Sequence, residues 1–400
     1  MFDSRKKQNG PAWTMGIDLG HYALKAVLLE ETADSIVAHY AAYVPTPTDA
    51  IRQGVIVHQR EVAAQIKKLV RQSGSGIRAA SIAIPIEQLV VRSLELPDMK
   101  ADELRQATRF EARKYLPFPA ETAEIVIAPM GQTLDSEGVP HLRALLAAAP
   151  REVVRSRAET LEMAGLEVAA VEIEPVALMR AFHVNQSSRN TFWLGQPCVH
   201  LHLGQKSSGM CVVQDTHLRF VHKISWGSFR LTQALATSLS CTVAEAQAIE
   251  ESPDAVLNPD GTFAWGEADK RQETRALAPE LERLSREMQR LLNYYRSLFP
   301  ERSYEGILDR LILSGGRADL RGLHRFFSEM FQIEVVARNP FQTFETHLSG
   351  SSFAAIEGRN HCFAVAIGLA LGDLHRTART SGAKTGQPRE FVWRKTAAAP

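Results

Sequence analysis

No apolar run in these 400 residues approaches the roughly 20 needed to cross a bilayer. The richest stretch, Phe363 to Leu371, is far shorter and carries Gly368 within it, so no direct insertion into a membrane is expected. Cysteine is scarce: Cys198, Cys211, Cys241 and Cys362 are scattered, with no Cys-x-x-Cys spacing. They read as free thiols in a reducing compartment, not as staples or zinc ligands. A charge excess is missing too, because 46 Lys and Arg stand against 45 Asp and Glu, a formal net charge of +1. Bulk attraction to nucleic acid or acidic lipid therefore has no support. Met1 to Asn9 is polar and charged with no apolar core behind it, so no secretory signal is read and the expected location is cytoplasmic.

The composition that remains, 45% hydrophobic and 23% charged, is that of a globular protein long enough for two or more domains. Strands are predicted over 14–17, 24–29 and 35–44, a helix over 61–71, and a strand over 79–84, which together suggest an α/β layer. Residues 87–150 change character. Extended runs at 89–91 and 94–96, a helix over 102–115 and strands at 125–128 and 142–147 read as a small, separately folded α+β insertion. A helix over 152–164, a strand over 166–173 and a helix over 176–182 follow, and 185–196 reads as a hinge. The second half restarts with strands at 199–203, 210–214 and 220–224 and a helix over 228–239. Residues 251–275 read as a polar loop. A long helix over 281–298 carries Leu281, Leu284, Met288, Leu291 and Tyr295 on one side.

Chemistry is suggested by an echo between the halves. Ile17-Asp18-Leu19-Gly20-His21-Tyr22-Ala23-Leu24-Lys25 and Leu201-His202-Leu203-Gly204-Gln205-Lys206-Ser207-Ser208-Gly209 both read as strand, glycine turn, strand. Each alone is an ordinary hairpin. Facing one another, two such turns can grip the phosphates of a nucleotide with backbone N–H groups, while a strand-end carboxylate holds a metal ion through water and a lysine neutralises charge. A third glycine element, Leu313-Ser314-Gly315-Gly316, follows a strand and opens toward a helix, where a flat ring could lie on bare backbone. Neither the dinucleotide fingerprint nor the P-loop pattern is matched.

With those three elements in order, the chain resembles the actin-like ATPase superfamily, and within it the PilM branch, a cousin of the division protein FtsA. Glu172 to Phe182 resembles that family's first connecting segment. Gly54-Val55-Ile56-Val57, Leu116-Pro117-Phe118-Pro119 and Asn293-Tyr294-Tyr295-Arg296-Ser297 resemble PilM and FtsA segments, and the likeness runs from about Met15 to Asp373. The resemblance implies an α/β, actin-like (ribonuclease H-like) pair of duplicated domains around a nucleotide cleft. It divides the chain into a flexible N-terminus (1–12), a first core subdomain (13–88 plus 150–190) and an insertion of the FtsA/PilM type (89–149). A second core (195–243 plus 308–375), an outer helical and loop subdomain (244–307) and a disordered tail (376–400) complete it.

The same resemblance implies ATP and Mg²⁺ as cofactors. Asp18, Gly20 and Lys25 would face phosphate and metal, Asp18 holding the Mg²⁺ through water, and Gly204 would face phosphate from the other side. Glu174 stands near the attacking water, Glu287 and Arg290 near ribose and adenine, and Gly315 and Gly316 against the base. Two departures weaken the enzyme. His21 and Tyr22 replace small hydroxyl residues in the first turn, and His202 replaces the aspartate of the second. Imidazole is a poor ligand for Mg²⁺, so hydrolysis should suffer more than binding. His200 and His202 lie two apart on one strand face, but no third zinc ligand is visible nearby, and packed or pocket-facing histidines are expected.

The function implied is a scaffold of type IV pilus assembly. It would grip the cytoplasmic N-terminal segment of a PilN-like inner-membrane protein, meet pilus motor components, and associate peripherally with the inner membrane through its partners. Leu89, Val90, Val91, Leu94, Leu96, Phe110 and Tyr115 of the insertion are the candidates for a peptide groove beyond those that form the lobe's own core. The alternatives are an active, switching or polymerising ATPase of the FtsA kind and a component of type II secretion of the GspL kind. A sugar-kinase relative is disfavoured by the insertion.

Overall fold

The computed structural model describes residues 12–32, 34–97, 99, 101–134, 138–183, 196–214, 217–299, 308–380 and 392–393. β1 (Ala12–Leu19), β2 (Ala23–Glu31) and β3 (Ile36–Pro45) form an antiparallel meander. β1 is buried on both faces from Thr14 to Ile17, which is why its sequence is a continuous apolar run rather than an alternation. After the small hairpin of β4 (Ile51–Arg52) and β5 (Val55–Ile56) comes α1 (Gln59–Gln72), which buries Val62, Ala63, Ile66 and Leu69 at helical spacing. β6 (Ala79–Ile84) then returns parallel to β1.

The insertion follows as β7 (Val90–Pro97), α2 (Ala101–Arg113), β8 (Ala123–Leu134) and β9 (Pro140–Pro150), a three-stranded sheet in the order β7-β9-β8. Leu94, Leu96, Leu104, Ala112, Leu142 and Leu146 form the lobe's own core. Alternate residues of the same strands, Val91, Ala128, Leu145, Ala147 and Ala149, belong instead to the large core that contains Ile17 and Ile82. The lobe is therefore not separately folded, contrary to the expectation from its composition. A sheet with two apolar faces needs a cover on each, and the first domain supplies the second one.

α3 (Arg151–Met163), β10 (Glu167–Ile173) and α4 (Glu174–His183) close the first half, with β10 parallel to β6. The stretch expected to be a hinge lies almost wholly at 184–195, outside the described residues. The second half opens with β11 (Cys198–Leu203), β12 (Ser208–Gln214) and β13 (His217–Ile224), then α5 (Phe229–Leu239) and α6 (Val243–Glu250). Where a loop was expected, β14 (Val256–Leu257), β15 (Phe263–Trp265) and β16 (Gln272–Thr274) make a small sheet. Phe263 and Trp265 are buried there among the residues of α7 (Ala278–Ser297), so two aromatic anchors outweigh the polar composition around them.

β17 (Arg310–Gly315), α8 (Leu323–Phe331) and β18 (Glu334–Ala337) complete the second sheet. β19 (Glu345–Thr346) and α9 (Gly350–Ile356) lead to α10 (Ala364–Thr380), and β20 (Val392–Trp393) follows. The tail expected to be disordered from Arg376 thus begins inside a helix and includes a paired strand; its other residues lie outside the description.

The two sheets share one plan. The first runs β3-β2-β1-β6-β10, with β19 and β20 added at its edges, and the second runs β13-β12-β11-β17-β18. Each is an antiparallel meander extended by two parallel strands, so the echo in the sequence is a duplicated domain. α4 and α10 pack on each other, and their apolar cluster takes in Val27 and Ala83 of the first sheet and Cys198 and Ile312 of the second.

Candidate functional site

Both strand-end turns open into one cavity of about 570 Å³ between the halves. Ligand pockets commonly hold about 300–1,000 Å³. Asp18, Gly20, Lys25, Glu174, Gly204, Gly315 and Gly316 all line it. Glu287 and Arg290 do not. They sit on the outer side of α7, paired with each other at 2.6 Å, because the apolar stripe through Leu284, Met288 and Leu291 turns that helix's polar face away from the cleft. The far wall is made instead by α6 and the loop after it, with Gln247, Glu250 and Glu251, together with Arg317. Arg317 holds Glu250 at 2.6 Å, and Thr232 donates to the same carboxylate at 2.7 Å.

At the end of the cavity lined by the first turn, Lys25 donates to Asp18 at 2.5 Å across the paired strands β1 and β2. Burial works against the ammonium, but the Asp18 charge overcomes it and holds Lys25 above its usual range. Glu174, the first residue of α4, accepts a hydrogen bond from the Ile86 N–H at 3.4 Å. Burial, helped by the Asp18 charge, pushes its carboxyl up to about 8, so it is largely protonated at neutral pH. His202 bonds to Ser314 Oγ through Nδ1 at 3.0 Å, and burial brings its pKa down to about 4, leaving a neutral imidazole. Burial also lowers His21, against the pull of Glu87, whose carboxylate lies 3.3 Å away.

Two residues that sequence reasoning missed stand out at this end. Arg157 of α3 is fully buried, and its Nη1 donates to the Leu19 carbonyl at 3.0 Å. Its Nε and Nη2 have no partner among the described residues, and the side chain lines the cavity. The available signal was an arginine within the apolar stripe Val153, Val154, Thr160 and Leu161. Glu87, in the short turn after β6, bridges the halves: Ser207 Oγ donates to it at 3.1 Å, and the Lys223 ammonium reaches its carbonyl at 3.2 Å. Tyr22 makes a second bridge, donating to Glu251 at 3.3 Å and meeting Gln247.

These groups suit an anionic ligand better than a metal ion. Lys25 and Arg157 give two cations, and the orphaned donors of Arg157 ask for an oxygen acceptor. Gly315 has φ of +95°, and a Cβ there would come within 2.4 Å of the Leu203 carbonyl, so the third turn needs glycine to close on the second. A ligand carrying phosphate oxygens would meet donors on these walls. For Mg²⁺ the supply is thin: Asp18 is held by Lys25, Glu174 is protonated, and His202 offers a soft ligand.

His200 does not line the cavity. Its Nε2 lies 2.6 Å from His183 Nε2, and the Cys198 thiol completes a triangle of ligand atoms within 4.8 Å. The partners absent from sequence view are therefore His183 and Cys198, not His202. Burial holds both imidazoles neutral, His183 at about 4, and raises the thiol to about 12. The nearby charge of Arg338 depresses both histidines further and opposes a cation. Cys198, Cys211 and Cys362 are buried free thiols, as expected, and Cys241 is half-buried.

The insertion's apolar residues divide. Leu94 and Leu96 are core, Val91 joins the main core, and Phe110 and Tyr115 are left 65% and 39% exposed. No helix among the described residues is long and apolar enough to cross a membrane.

Comparison with known proteins follows the same lines. The model of the family described as type IV pilus assembly protein PilM matches residues 16–374. Cell division protein FtsA of Streptococcus pneumoniae serotype 2 is 21% identical over 356 residues, covering 82% of this chain and 75% of its own. The solved PilM–PilN type IV pilus biogenesis complex matches with a TM-score of 0.74 at 23% identity, over 90% of this chain and 98% of that one. Ethanolamine utilization protein EutJ from Carboxydothermus hydrogenoformans matches at 0.51 with 15% identity, over 90% of each chain. The fold is actin-like.

Proposed function

The chain belongs to the family of type IV pilus assembly protein PilM, and from that premise we propose that it is a scaffold that binds ATP without turning it over efficiently. It works in the cytoplasm, at the inner membrane, by holding the N-terminal segment of a PilN-like membrane protein. The observation that carries the reading is the asymmetry of the cleft. Anion-binding groups are kept, in Lys25, Arg157 and the glycine turns, while the carboxylates that would serve metal and water are paired, protonated or replaced. In this reading ATP, with or without Mg²⁺, acts as a structural ligand. Lys25 and Arg157 neutralise its phosphates, and Gly20 and Gly204 let backbone N–H groups approach them. Gly315 and Gly316 would lie against the base. When bound, the nucleotide supplies negative charge that ties the two halves together.

The solved PilM–PilN complex supports the partner assignment. The exposed Phe110 and Tyr115 support a contact on the insertion side, since large exposed apolar side chains can mark binding surfaces. Two measurements test the reading. Thermal unfolding with millimolar ATP, with and without Mg²⁺, should shift upward, because a ligand selective for the folded state stabilises it by mass action, by about 2.7 kcal/mol at a hundredfold excess over Kd. A labelled peptide copying the cytoplasmic start of the PilN-like protein should bind at micromolar or better affinity without nucleotide. Binding by no cytoplasmic segment of any pilus membrane protein would remove the scaffold reading. Removing residues 89–148 is not a clean test, since Val91, Leu145 and Ala147 belong to the main core.

A further inference from the structure

The first sheet has an edge that is closed only by the far end of the chain. β10 pairs with β6 along its inner side, from Glu167 to Ile173. On its outer side, among the described residues, it pairs only with β20, antiparallel, Val171 opposite Trp393 and Glu172 opposite Val392. β20 also touches β8, so it lies in the angle between the sheet edge and the insertion lobe. An open strand edge presents unpaired N–H and C=O groups, and proteins either blunt it or use it to take up another strand. The sequence of β10, Glu-Val-Ala-Ala-Val-Glu-Ile, has no proline and no lysine to block such pairing.

The segment that fills the edge has its own sequence character. Phe391-Val392-Trp393 is an apolar triplet followed by Arg394-Lys395, set in a tail from Arg376 whose only acidic residue is Glu390. An apolar and aromatic triplet is out of place in a solvated linker and suited to a short docking strand. Two residue pairs form a small contact, and tethering sustains it. α10 ends at Thr380, from which Val392 is reachable over a span of roughly 40 Å at most. A tether of that length gives an effective concentration on the order of a millimolar.

We propose that Val392 and Trp393 are an intramolecular occupant of a peptide-docking edge. A partner segment binds as an added antiparallel strand on β10 beside β8, and it must displace this tail to do so. The competitor that fits is an extended peptide with apolar or aromatic residues at its centre and basic residues after them. The identity of that competitor rests on the scaffold reading above; the docking edge itself does not.

The test uses a fluorescent peptide of residues 388–400 against the full chain and against the chain ending at Thr380, read by anisotropy after both forms are shown to melt cooperatively. The shortened chain is expected to bind the peptide with a Kd of about 10–100 μM, and the full chain on the order of 10- to 100-fold more weakly, because its own tail competes at the effective concentration above. Trp393→Pro in the full chain removes a strand donor and should restore binding in trans. Equal binding by the two forms, or none by the shortened chain, overturns the proposal. The PilN-like peptide is then added as competitor on the shortened chain, where it should release the tail peptide. If it binds without releasing the tail, displacement is wrong. If the tail discriminates as expected but the PilN-like peptide binds neither form, the edge stands and the scaffold reading falls.

Discussion

Two hairpins face each other across the cleft, built to one plan and finished differently. In the first, Leu19 pairs with Leu24 around the turn that holds Gly20, and one step back Asp18 pairs with Lys25. In the second, Leu203 pairs with Ser208 around the turn that holds Gly204, and one step back His202 pairs with Gly209. The position that carries a charge pair in one half therefore carries an imidazole and a bare backbone in the other. Gly209 has a reason to be bare: a Cβ there would stand 2.7 Å from Ile86 Cδ1, so the turn after β6 packs directly onto it. Duplication set the backbone of both hairpins. Their chemistry differs, the first carrying a charge pair at the cavity wall and the second a glycine that admits contact between halves.

The strongest way to break that contrast is Lys25→Met. It leaves the Asp18 carboxylate in the cleft without its partner, and losing one member of such a pair typically costs about 3–5 kcal/mol. Urea unfolding should show a loss of that order, and a loss under 1 kcal/mol would mean that the pair does not hold the first hairpin.

Glu174→Gln comes next. The folded carboxyl titrates near 8 and the unfolded one near 4.5. Between about pH 5 and 8 the unfolded state has released a proton that the folded state keeps, so stability falls as pH rises through that window. The variant should abolish the slope and gain up to about 3 kcal/mol at pH 7. Melting curves at pH 5, 6, 7 and 8 decide it, and parallel curves for the two proteins would contradict a protonated Glu174.

His202→Asp restores an acid to the second hairpin and sharpens the comparison chemically. Phosphate release by the unaltered protein should be negligible, and the variant should gain on the order of 10²-fold, the worth of one well-placed catalytic group. Steady turnover by the unaltered protein that Asp18→Ala abolishes would show that the first hairpin suffices alone. The smallest effect belongs to Glu287→Ala and Arg290→Ala. Both should leave the nucleotide-dependent melting shift unchanged, since their pair lies outside the cavity.

Much of this was legible in the sequence because the signals were periodic or punctuated. Continuous apolar runs at β1 and β17, the stripe of α7 and the three glycine turns all lie where pattern and turn chemistry put them. Three things were not legible, each for a physical reason. The inner face of the insertion looks like surplus apolar surface until the first domain is seen to cover it. Arg157 looks like one polar residue on a surface helix until α3 turns that position inward. Glu287 and Arg290 were expected at the ligand from the resemblance alone, which does not say which way the helix is rolled.

α10 has a consequence for how the molecule is made. The helix is the last long element among the described residues, yet it lies on the first sheet, where the Thr14 hydroxyl donates to the Ala370 carbonyl at 2.9 Å and Val365, Ile367 and Leu369 share a core with Val27 and Leu29. A chain emerging from the ribosome at about 5–20 residues per second must keep that sheet's apolar face waiting until nearly all of it has been synthesised. The second half can gather its strands and α7 meanwhile, from segments closer together in sequence. Synthesis that stalls before Ala364 therefore leaves a product with its opening sheet uncovered on one side, a natural target for chaperones and proteases.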